Sequence, residues 1–238
     1  MFTTGNGVLM VDPYLSNSVE KLVGPEARRM WWNSFMISDL RPDAIAITHD
    51  HLDHLAPETL PILEQVALPV MYLGPGSVIE HLRQLNFRRA ALTCMERGDA
   101  AQFGGMALRA VYAEHTPDSI GIVLRTSGLS VYITGDTCLR PELINEETRD
   151  CDVVIACING IDDNLSPLEA AQLAAKLNAK MLIPMHYGLI PCSTVSINAF
   201  HAATDSVGVE GFVMPVEQAF VLKPTRDGVE ALRAELEG

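Results

Sequence analysis

The segment THDHLDH, residues 48–54, places three histidines and two aspartates within seven residues, directly after the apolar run AIAI. His49 and His51 are two positions apart, so in an extended stretch their side chains point to the same side. Asp53 and His54 follow where the chain begins to turn, and they can face a neighbouring point. Imidazole and carboxylate groups together suit zinc, manganese or iron, and thiolate ligands are not needed. This spacing favours a metal site over the alternative of a solvated polar loop.

Further candidate ligands stand at the exits of other apolar strands, as the first cluster does. His115 ends LRAVYAEH, Asp136 ends VYITGD, and His186 ends MLIPMH. Because reactive side chains are usually presented on loops that leave a rigid scaffold, we expect these strand ends to converge on one edge. His81 and His201 lie within helical patterns, and we interpret both as structural or exposed.

Several other residues have two interpretations each. Asp12 in VDPYL is either a carboxylate that orients a ligand histidine or a turn residue before a proline. Asp118 either reaches the site or caps a turn. Trp31 and Trp32 could form a lid or an oligomer contact, but packing in the core is at least equally well supported. Cys138 is interpreted as a small packed residue. Four arginines are candidates for a substrate phosphate, although most are expected to be solvated: Arg28, Arg29, Arg125 and Arg140.

The elements that must position these residues are short apolar strands that alternate with helical patterns. Strands are expected at 8–11, 44–48, 70–73, 106–113, 120–126, 129–134, 153–157, 181–185, 209–214 and 218–222, and helices at 57–66, 77–86, 167–177 and 195–203. Ser166 followed by Pro167 and Glu169 resembles a capping box, and Asn6-Gly7 suits a type I′ hairpin turn. Two β-rich halves that each carry helices predict an α/β fold, in which two mixed β-sheets form a sandwich flanked by helices. We expect a single domain that spans residues 1–238.

Composition restricts the environment and the partners. Of the 238 residues 48% are hydrophobic, yet no apolar run of about 18 residues indicates a membrane span. The sequence starts without a leader pattern, and its five cysteines lack CxxC spacing, so we expect a reduced, cytoplasmic protein. The net charge of −13 argues against a nucleic acid or an anionic membrane as a general partner. It leaves room for a local basic pocket that binds a small phosphorylated ligand.

The chain resembles the metallo-β-lactamase superfamily of dinuclear hydrolases in the order of its motifs. These are HxHxDH, then a lone histidine, then the aspartate of GD, and then a last histidine. The chain is also similar to the L-ascorbate-6-phosphate lactonase family in DPYLSNSVE, DAIAITHDHLDH, GPGSV, EHTPDSIG, YITGDT and LNAKMLIPMHYG, which span most of residues 8–190. The resemblance implies an αββα sandwich. Relatives usually have a further strand upstream, whereas this chain begins inside the turn that follows it, so we expect the first strand to be shortened.

The resemblance also implies a ligand set and a mechanism. It implies two metal ions, one held by His49, His51 and His115, the other by Asp53, His54 and His186, with Asp136 bridging both. Two divalent ions, zinc or manganese, would lower the pKa of a shared water and polarise the carbonyl group of the substrate. No protein nucleophile is then needed, and Asp53 is the residue best placed to orient that water.

The activity that the resemblance implies is metal-dependent hydrolysis of a lactone, opening the ring of a small, anionic sugar acid such as L-ascorbate 6-phosphate. Phosphodiesters, thioesters and amides are alternative substrates, because one fold supports many chemistries. A non-enzymatic metal-binding protein with a relic site would be expected to lack a ligand, and all seven positions are filled. A di-iron, oxygen-reducing protein would normally need a flavin domain, which we do not expect here. A homo-oligomer is compatible with the sequence.

Overall fold

The computed structural model describes residues 1–66, 70–87, 90–126 and 128–234, and the first of its two large sheets is built from the N-terminal half. Its five strands lie in the order β1 (Phe2–Thr4), β2 (Gly7–Val11), β3 (Ala44–Ala46), β4 (Met71–Gly74) and β5 (Ala91–Cys94). β1 and β2 form an antiparallel hairpin, and β2 to β5 are parallel. The connections hold α1 (Ser18–Val23), 3-10 segments at Pro25–Ala27 and Ile37–Asp39, α2 (Leu60–Val66) and α3 (Gly76–Gln84).

The second sheet is built from the C-terminal half. Its seven strands lie in the order β12 (Glu210–Gly211), β11 (Met181–Met185), β10 (Val153–Cys157), β9 (Ser130–Ile133), β8 (Ile120–Arg125), β7 (Met106–Tyr112) and β6 (Ala100–Phe103). β6 to β9 form an antiparallel meander, and β9 to β12 are parallel. The connections hold a 3-10 segment at Pro141–Leu143, α4 (Pro167–Lys176) and α5 (Ile197–Val207), and β13 (Phe220–Pro224) pairs with β14 (Val229–Arg233) as a separate ribbon.

The layers of the fold follow from the alternation of side chains along each strand. In β10, Val153 packs between the two sheets, whereas the next residue, Val154, packs with Leu173 of α4 and Phe200 of α5. In β3, Ile45 packs in the same way on the helix side of the first sheet. Full burial of a leucine such as Leu173 contributes about 1.5–3 kcal/mol. The layers are helix, sheet, sheet and helix, so the expected αββα sandwich is confirmed.

The predicted start of α4 is also confirmed. The side chain of Ser166 accepts a hydrogen bond from the backbone N–H of Glu169 at 3.4 Å, and the Glu169 carboxylate accepts one from the N–H of Ser166 at 2.9 Å. These two bonds satisfy donors that the first turn of a helix otherwise leaves unpaired. The capping box therefore fixes the start of the helix that packs behind β10 and β11.

The first hairpin differs from the prediction. Thr4 pairs with Gly7, so the two loop residues are Gly5 and Asn6, and neither adopts the positive φ that a type I′ turn requires. The chain does not begin inside the turn, because the three residues of β1 precede it. The first strand is short, as expected.

Some elements carry no clear signal in the sequence. β5, β6 and β14 were not predicted, because these short strands are largely exposed and lack the apolar alternation of a half-buried strand. Helix α2 begins at Leu60, three residues after the predicted start, because residues 57–59 form a turn. Within the described residues, no helix combines the length and the apolar character needed to cross a membrane.

Candidate metal centre

The loops that leave β3, β7, β9 and β11 bring all seven candidate residues to one end of the sandwich. Their ligand atoms fall into three overlapping groups, and within each group the atoms lie within 4.8 Å of one another: His49, His51 and His115; His49, His54 and Asp136; and Asp53, His54 and His186. Because His49 and His54 are each shared by two groups, the three groups form one continuous cluster.

The first group consists of imidazoles alone. Nε2 of His115 lies 3.1 Å from Nδ1 of His51, and the ring centroid of His49 lies 4.6 Å from that of His51. Burial, and then the nearby His54, lower the pKa of His49 to about 2, and burial lowers the pKa of His115. Both side chains are therefore neutral at neutral pH, and the neutral imidazole is the form that binds metal ions.

Asp136 lies between the two sets of histidines and is 4% exposed. Its Oδ2 is 3.2 Å from Nε2 of His186 and 3.8 Å from Nε2 of His115. Its Oδ1 is 3.4 Å from Nε2 of His54. Burial opposes ionisation, but His54 and His186 outweigh it and hold the pKa of Asp136 well below its usual range. An ionised carboxylate thus faces histidines of both sets.

His54 and His186 are surrounded by carboxylates. Burial lowers the pKa of His54, but Asp136 and Asp12 outweigh burial and raise that pKa well above its usual value. Burial is likewise outweighed at His186, where hydrogen bonds to Asp136 and Asp53 raise the pKa to about 9. In the metal-free chain both histidines carry an extra proton at neutral pH. A metal ion must displace that proton before it can bind the ring nitrogen.

Four buried atoms of this cluster form no regular hydrogen bond with the described residues: Nε2 of His49, Nε2 of His54, Nδ1 of His115 and Oδ1 of Asp136. His49, His54 and Asp136 also form one of the groups whose ligand atoms lie within 4.8 Å. Nε2 of His54 and Oδ1 of Asp136 face each other at 3.4 Å as an ion pair, whereas Nε2 of His49 has no partner, and an unpaired buried polar atom costs about 1–3 kcal/mol unless a ligand satisfies it. Nitrogen and oxygen ligands with available lone pairs fit a divalent ion such as zinc or manganese.

Asp12 and Thr48 orient two of the histidines. Oδ2 of Asp12 accepts hydrogen bonds from Nδ1 of His54 at 2.9 Å and from the Thr48 hydroxyl at 2.7 Å. The hydroxyl has a single proton and gives it to Asp12, so at 3.1 Å it accepts a bond from Nδ1–H of His49. Both histidines therefore carry a proton on Nδ1 and direct Nε2 into the cluster. Of the two interpretations of Asp12, the structure supports the orientation of a histidine.

The conformation around Asp136 depends on residues that the sequence did not single out. Nδ2 of Asn164 donates a hydrogen bond to Oδ2 of Asp136 at 2.9 Å, and no motif links two residues so far apart. Gly135 has φ +61°, and a Cβ at this position would lie 3.0 Å from Cβ of Thr48. The glycine of the GD motif is therefore required by the backbone. His186 also has a positive φ, +59°, a conformation that costs a non-glycine residue about 1–3 kcal/mol.

Most of the remaining candidates lie outside the cluster. The carboxylate of Asp118 accepts hydrogen bonds from the backbone N–H and the hydroxyl of Ser77, at 2.8 and 2.9 Å, so it caps the start of α3. His81 lies in α3 and His201 in α5, and neither belongs to a ligand group of the described residues. Cys138 is partly buried. Arg28 and Arg140 are exposed, and Arg125 is partly buried.

Arg29 is buried, contrary to what is expected of a solvated arginine, and is 4% exposed. Its guanidinium carbon lies 5.5 Å from the ring centre of Tyr14, 5.3 Å from that of Trp31 and 5.7 Å from that of Trp32. Nε1 of Trp31 donates a hydrogen bond to the carbonyl oxygen of Gly188 at 3.0 Å, which ties the aromatic segment to the loop after His186.

A cavity of about 500 Å³ adjoins the centre and has Asp53, His54 and His186 in its wall. Beyond these residues the wall comes mainly from apolar side chains of both sheets and the C-terminal ribbon: Met10, Val11, Ile133, Ile155, Met185 and Leu222. No lysine or arginine of the described residues belongs to this wall. The volume is within the range of pockets that bind small molecules, about 300–1,000 Å³.

Comparisons with known proteins identify the superfamily to which the chain belongs. A family model described as "Beta-lactamase superfamily domain" matches residues 8–187, a range that contains all seven candidate residues. Similar proteins described as UPF0173 metal-dependent hydrolases include one from Pyrobaculum aerophilum, 28% identical over 94% of this chain and 92% of its own length. Another, from Listeria innocua, is 27% identical over 90% of this chain and 91% of its own length.

Two solved structures show the same fold. Igni18 from Ignicoccus hospitalis, described as a novel metallo hydrolase, has a TM-score of 0.70 and 21% identity over 98% of this chain and 94% of its own. YhfI from Bacillus subtilis, described as a metallo-beta-lactamase fold protein, has a TM-score of 0.68 and 19% identity over 90% and 86%. At these identities the likeness concerns the arrangement of the sheets and helices.

Proposed function

The chain belongs to the beta-lactamase superfamily, and we propose that it is a metal-dependent hydrolase whose reaction takes place at the seven-residue cluster. The observation that carries the proposal is the convergence of the buried ligand atoms of His49, His54 and Asp136, which lie within 4.8 Å of one another and include Nε2 of His49, an atom without a hydrogen-bond partner. A protein that used this fold only for structure would gain nothing from that unpaired atom, because it lowers stability unless a ligand is bound. The names of the relatives as metal-dependent hydrolases support the same reaction class.

The proposed centre holds two divalent ions, zinc or manganese. Their ligands are His49, His51 and His115 for one ion and Asp53, His54 and His186 for the other, with Asp136 shared. When bound, such a pair lowers the pKa of a shared water towards neutrality and polarises a carbonyl oxygen. No cysteine belongs to the ligand groups of the described residues, so no thiolate favours zinc over manganese.

Asp53 is proposed as the residue that orients the attacking water. Its side chain is 25% exposed, and it faces the cavity rather than the protein interior. Burial opposes ionisation, but His54 and then His186 lower the pKa of Asp53, so its carboxylate is charged at neutral pH. An ionised carboxylate at the edge of a cavity can accept a hydrogen bond from a water and so fix the direction of attack.

We propose a lactone as the substrate, because the segments that resemble the L-ascorbate-6-phosphate lactonases include those that carry all seven residues. We propose that the centre hydrolyses the lactone ring, but we do not propose that the substrate carries a phosphate group, since no lysine or arginine of the described residues lines the cavity. Phosphodiesters, thioesters and amides are the competing substrates, because the same centre could polarise any of these groups.

The proposal is tested with protein reconstituted with zinc or manganese and assayed against a panel of lactones and a chromogenic phosphodiester. We expect lactone hydrolysis that a chelator abolishes and added metal restores. Asp53→Asn should lose most of this activity, whereas the control Asp205→Asn, an exposed aspartate on α5, should keep it. Cleavage of the phosphodiester alone would change the substrate class. Cleavage of no substrate by the metal-loaded protein would contradict the hydrolase itself.

A further inference from the structure

The cavity beside the metal centre is lined mainly by apolar side chains of the kind that form a protein core. Its wall includes Asp53 and His186 of the metal centre, residues of the hairpin β1–β2 and of β9 to β11, and Leu222 of the C-terminal ribbon. Most of the wall is formed by apolar side chains, many of them aliphatic or methionine, including Met10 and Ile155. Side chains of this kind offer a ligand dispersion contacts and removal of apolar surface from water, but no hydrogen bonds.

Most polar atoms at the edge of this cavity are already engaged by the protein. The Tyr14 hydroxyl accepts a hydrogen bond from the backbone N–H of Val19 at 3.3 Å, and the indole N–H of Trp31 donates to a backbone carbonyl at 3.0 Å. The Ser193 hydroxyl accepts a bond from the Asn159 amide at 3.0 Å. The Trp31 donor is therefore used up, whereas the hydroxyls of Tyr14 and Ser193 accept these bonds and keep their own protons. With the Tyr187 hydroxyl, they are the few side-chain hydroxyls in a wall that is otherwise mainly apolar, so a polyhydroxylated substrate would find few hydrogen-bond partners there.

The nearby arginine and lysine side chains do not contribute to the wall of the cavity either. The guanidinium of Arg29 lies behind the aromatic rings and donates hydrogen bonds to the carbonyl oxygen of Ser16 at 3.0 Å and to the side chain of Asn33 at 3.2 Å. Lys21 and Arg28 line a different cleft. A phosphate placed among the apolar side chains, away from the histidines and metal ions of the centre, would lose its hydration without gaining a lysine or arginine partner, which is strongly unfavourable.

We propose that the non-reacting part of the substrate is an uncharged, apolar chain or ring that occupies this cavity while the scissile carbonyl group lies at the metal centre. This inference deepens the hydrolase proposal and rests on it. It assigns the substrate to the apolar esters and lactones, such as lactones with an alkyl side chain, rather than to the phosphorylated sugar lactones. Leu222 belongs to the wall of this cavity, so a larger side chain at this position should reduce the space for that group.

The inference is tested first by kinetics, on metal-loaded protein with γ-lactones whose side chains are methyl, propyl and pentyl. Because each buried methylene contributes a nearly constant increment, kcat/KM should rise about four-fold per methylene until the cavity is filled. The increase should come mainly through a lower KM, since remote binding is largely uniform between ground and transition states. A phosphorylated sugar lactone hydrolysed more efficiently than the pentyl lactone, or values independent of chain length, would overturn the inference.

A second measurement separates this inference from the hydrolase proposal. Titration calorimetry with 1-butanol, 1-hexanol and 1-octanol, which cannot be hydrolysed, should show the same increase in affinity per methylene. Leu222→Trp should weaken octanol binding by about 15-fold, as for the loss of two buried methylenes, while Val221→Trp, at a 54% exposed position next to it, should not. If these results hold but the metal-loaded protein hydrolyses neither a lactone nor the phosphodiester, the hydrolase proposal fails and the apolar ligand class stands. Octanol binding that is unchanged in Leu222→Trp would refute the assigned cavity.

Discussion

Replacing Asp12 with asparagine changes little of the shape of the centre and removes one acceptor from it. The Asp12 carboxylate accepts three hydrogen bonds, from the backbone N–H of Thr48 at 2.8 Å, from its hydroxyl at 2.7 Å and from Nδ1 of His54 at 2.9 Å. An amide has one oxygen, so its NH₂ group must face either the Thr48 N–H or the ring nitrogen of His54. In the first case a buried donor loses its partner, and in the second the proton of His54 moves to the wrong ring nitrogen.

The size of the effect follows from these two outcomes. A buried donor without a partner lowers the free energy of unfolding by about 1–3 kcal/mol. Loss of the group that orients a metal ligand typically weakens metal binding by about 10–100-fold. The backbone itself should tolerate the change, because Asp12 has φ +45° and asparagine adopts this left-handed region more readily than most residues. We therefore expect Asp12→Asn to fold, with one of the two metal sites weakened by about 10–100-fold.

The assay is competition for zinc or manganese with a chromophoric chelator, together with denaturation of the metal-free protein. Asp43→Asn is the matched control. The Asp43 carboxylate also accepts a hydrogen bond from a backbone N–H, that of Val8 at 2.9 Å, but Asp43 lies before β3, whereas the metal ligands lie after it. The control should bind metal as the unchanged protein does. If Asp12→Asn bound both metal equivalents with unchanged affinity, the assigned role of Asp12 would be wrong.

Three further predictions concern the same centre. Asp136→Ala removes the carboxylate shared by both histidine sets, so elemental analysis should show at most one ion and activity should vanish, whereas His201→Ala should change neither. Because the pKa of His186 is raised to about 9 in the metal-free chain, this residue is protonated at pH 7, and metal uptake should release protons. Calorimetry in buffers of different ionisation enthalpy should detect the released protons. Binding heats that do not depend on the buffer would contradict the assignment of His186 as a ligand. Gly135→Ala should lower the free energy of unfolding by about 1–3 kcal/mol and also weaken metal binding. Gly98→Ala, which shares a positive φ but has no atom within 4 Å of the added Cβ, should cost backbone strain without affecting the metal.

The placement of the candidate residues at one end of the sandwich could be predicted because each of them lies in a segment that leaves an apolar strand. AIAI leads to His49, and MLIPM leads to His186, so recognising the strands was enough to place the side chains at their exits. The residues that support them could not be found in this way. Asn164 reaches Asp136 from a loop 28 positions further along the chain, and Arg29 is buried beside three aromatic rings. Such contacts are decided by the packing of distant segments.

The fold was predictable where strands are buried and not where they are exposed. β10 is apolar on both faces because it lies between a helix layer and a second sheet, so its signal in the sequence is continuous. β5 at the edge of the first sheet has three exposed residues of four, and backbone pairing with β4 determines it more than its own side chains do. The apolar cavity was not predicted either, because its wall combines residues from both sheets that are remote in sequence.

Anomalous diffraction from crystals of the zinc- or manganese-loaded protein tests the central claim most directly. Two peaks are expected about 3.5–4 Å apart, each about 2.0–2.2 Å from its nitrogen and oxygen ligands. One peak should lie among His49, His51 and His115, the other among Asp53, His54 and His186, with Asp136 in contact with both. Anomalous peaks found only outside this cluster, or a metal-loaded crystal with none inside it, would contradict the metal centre and the hydrolase proposed from it.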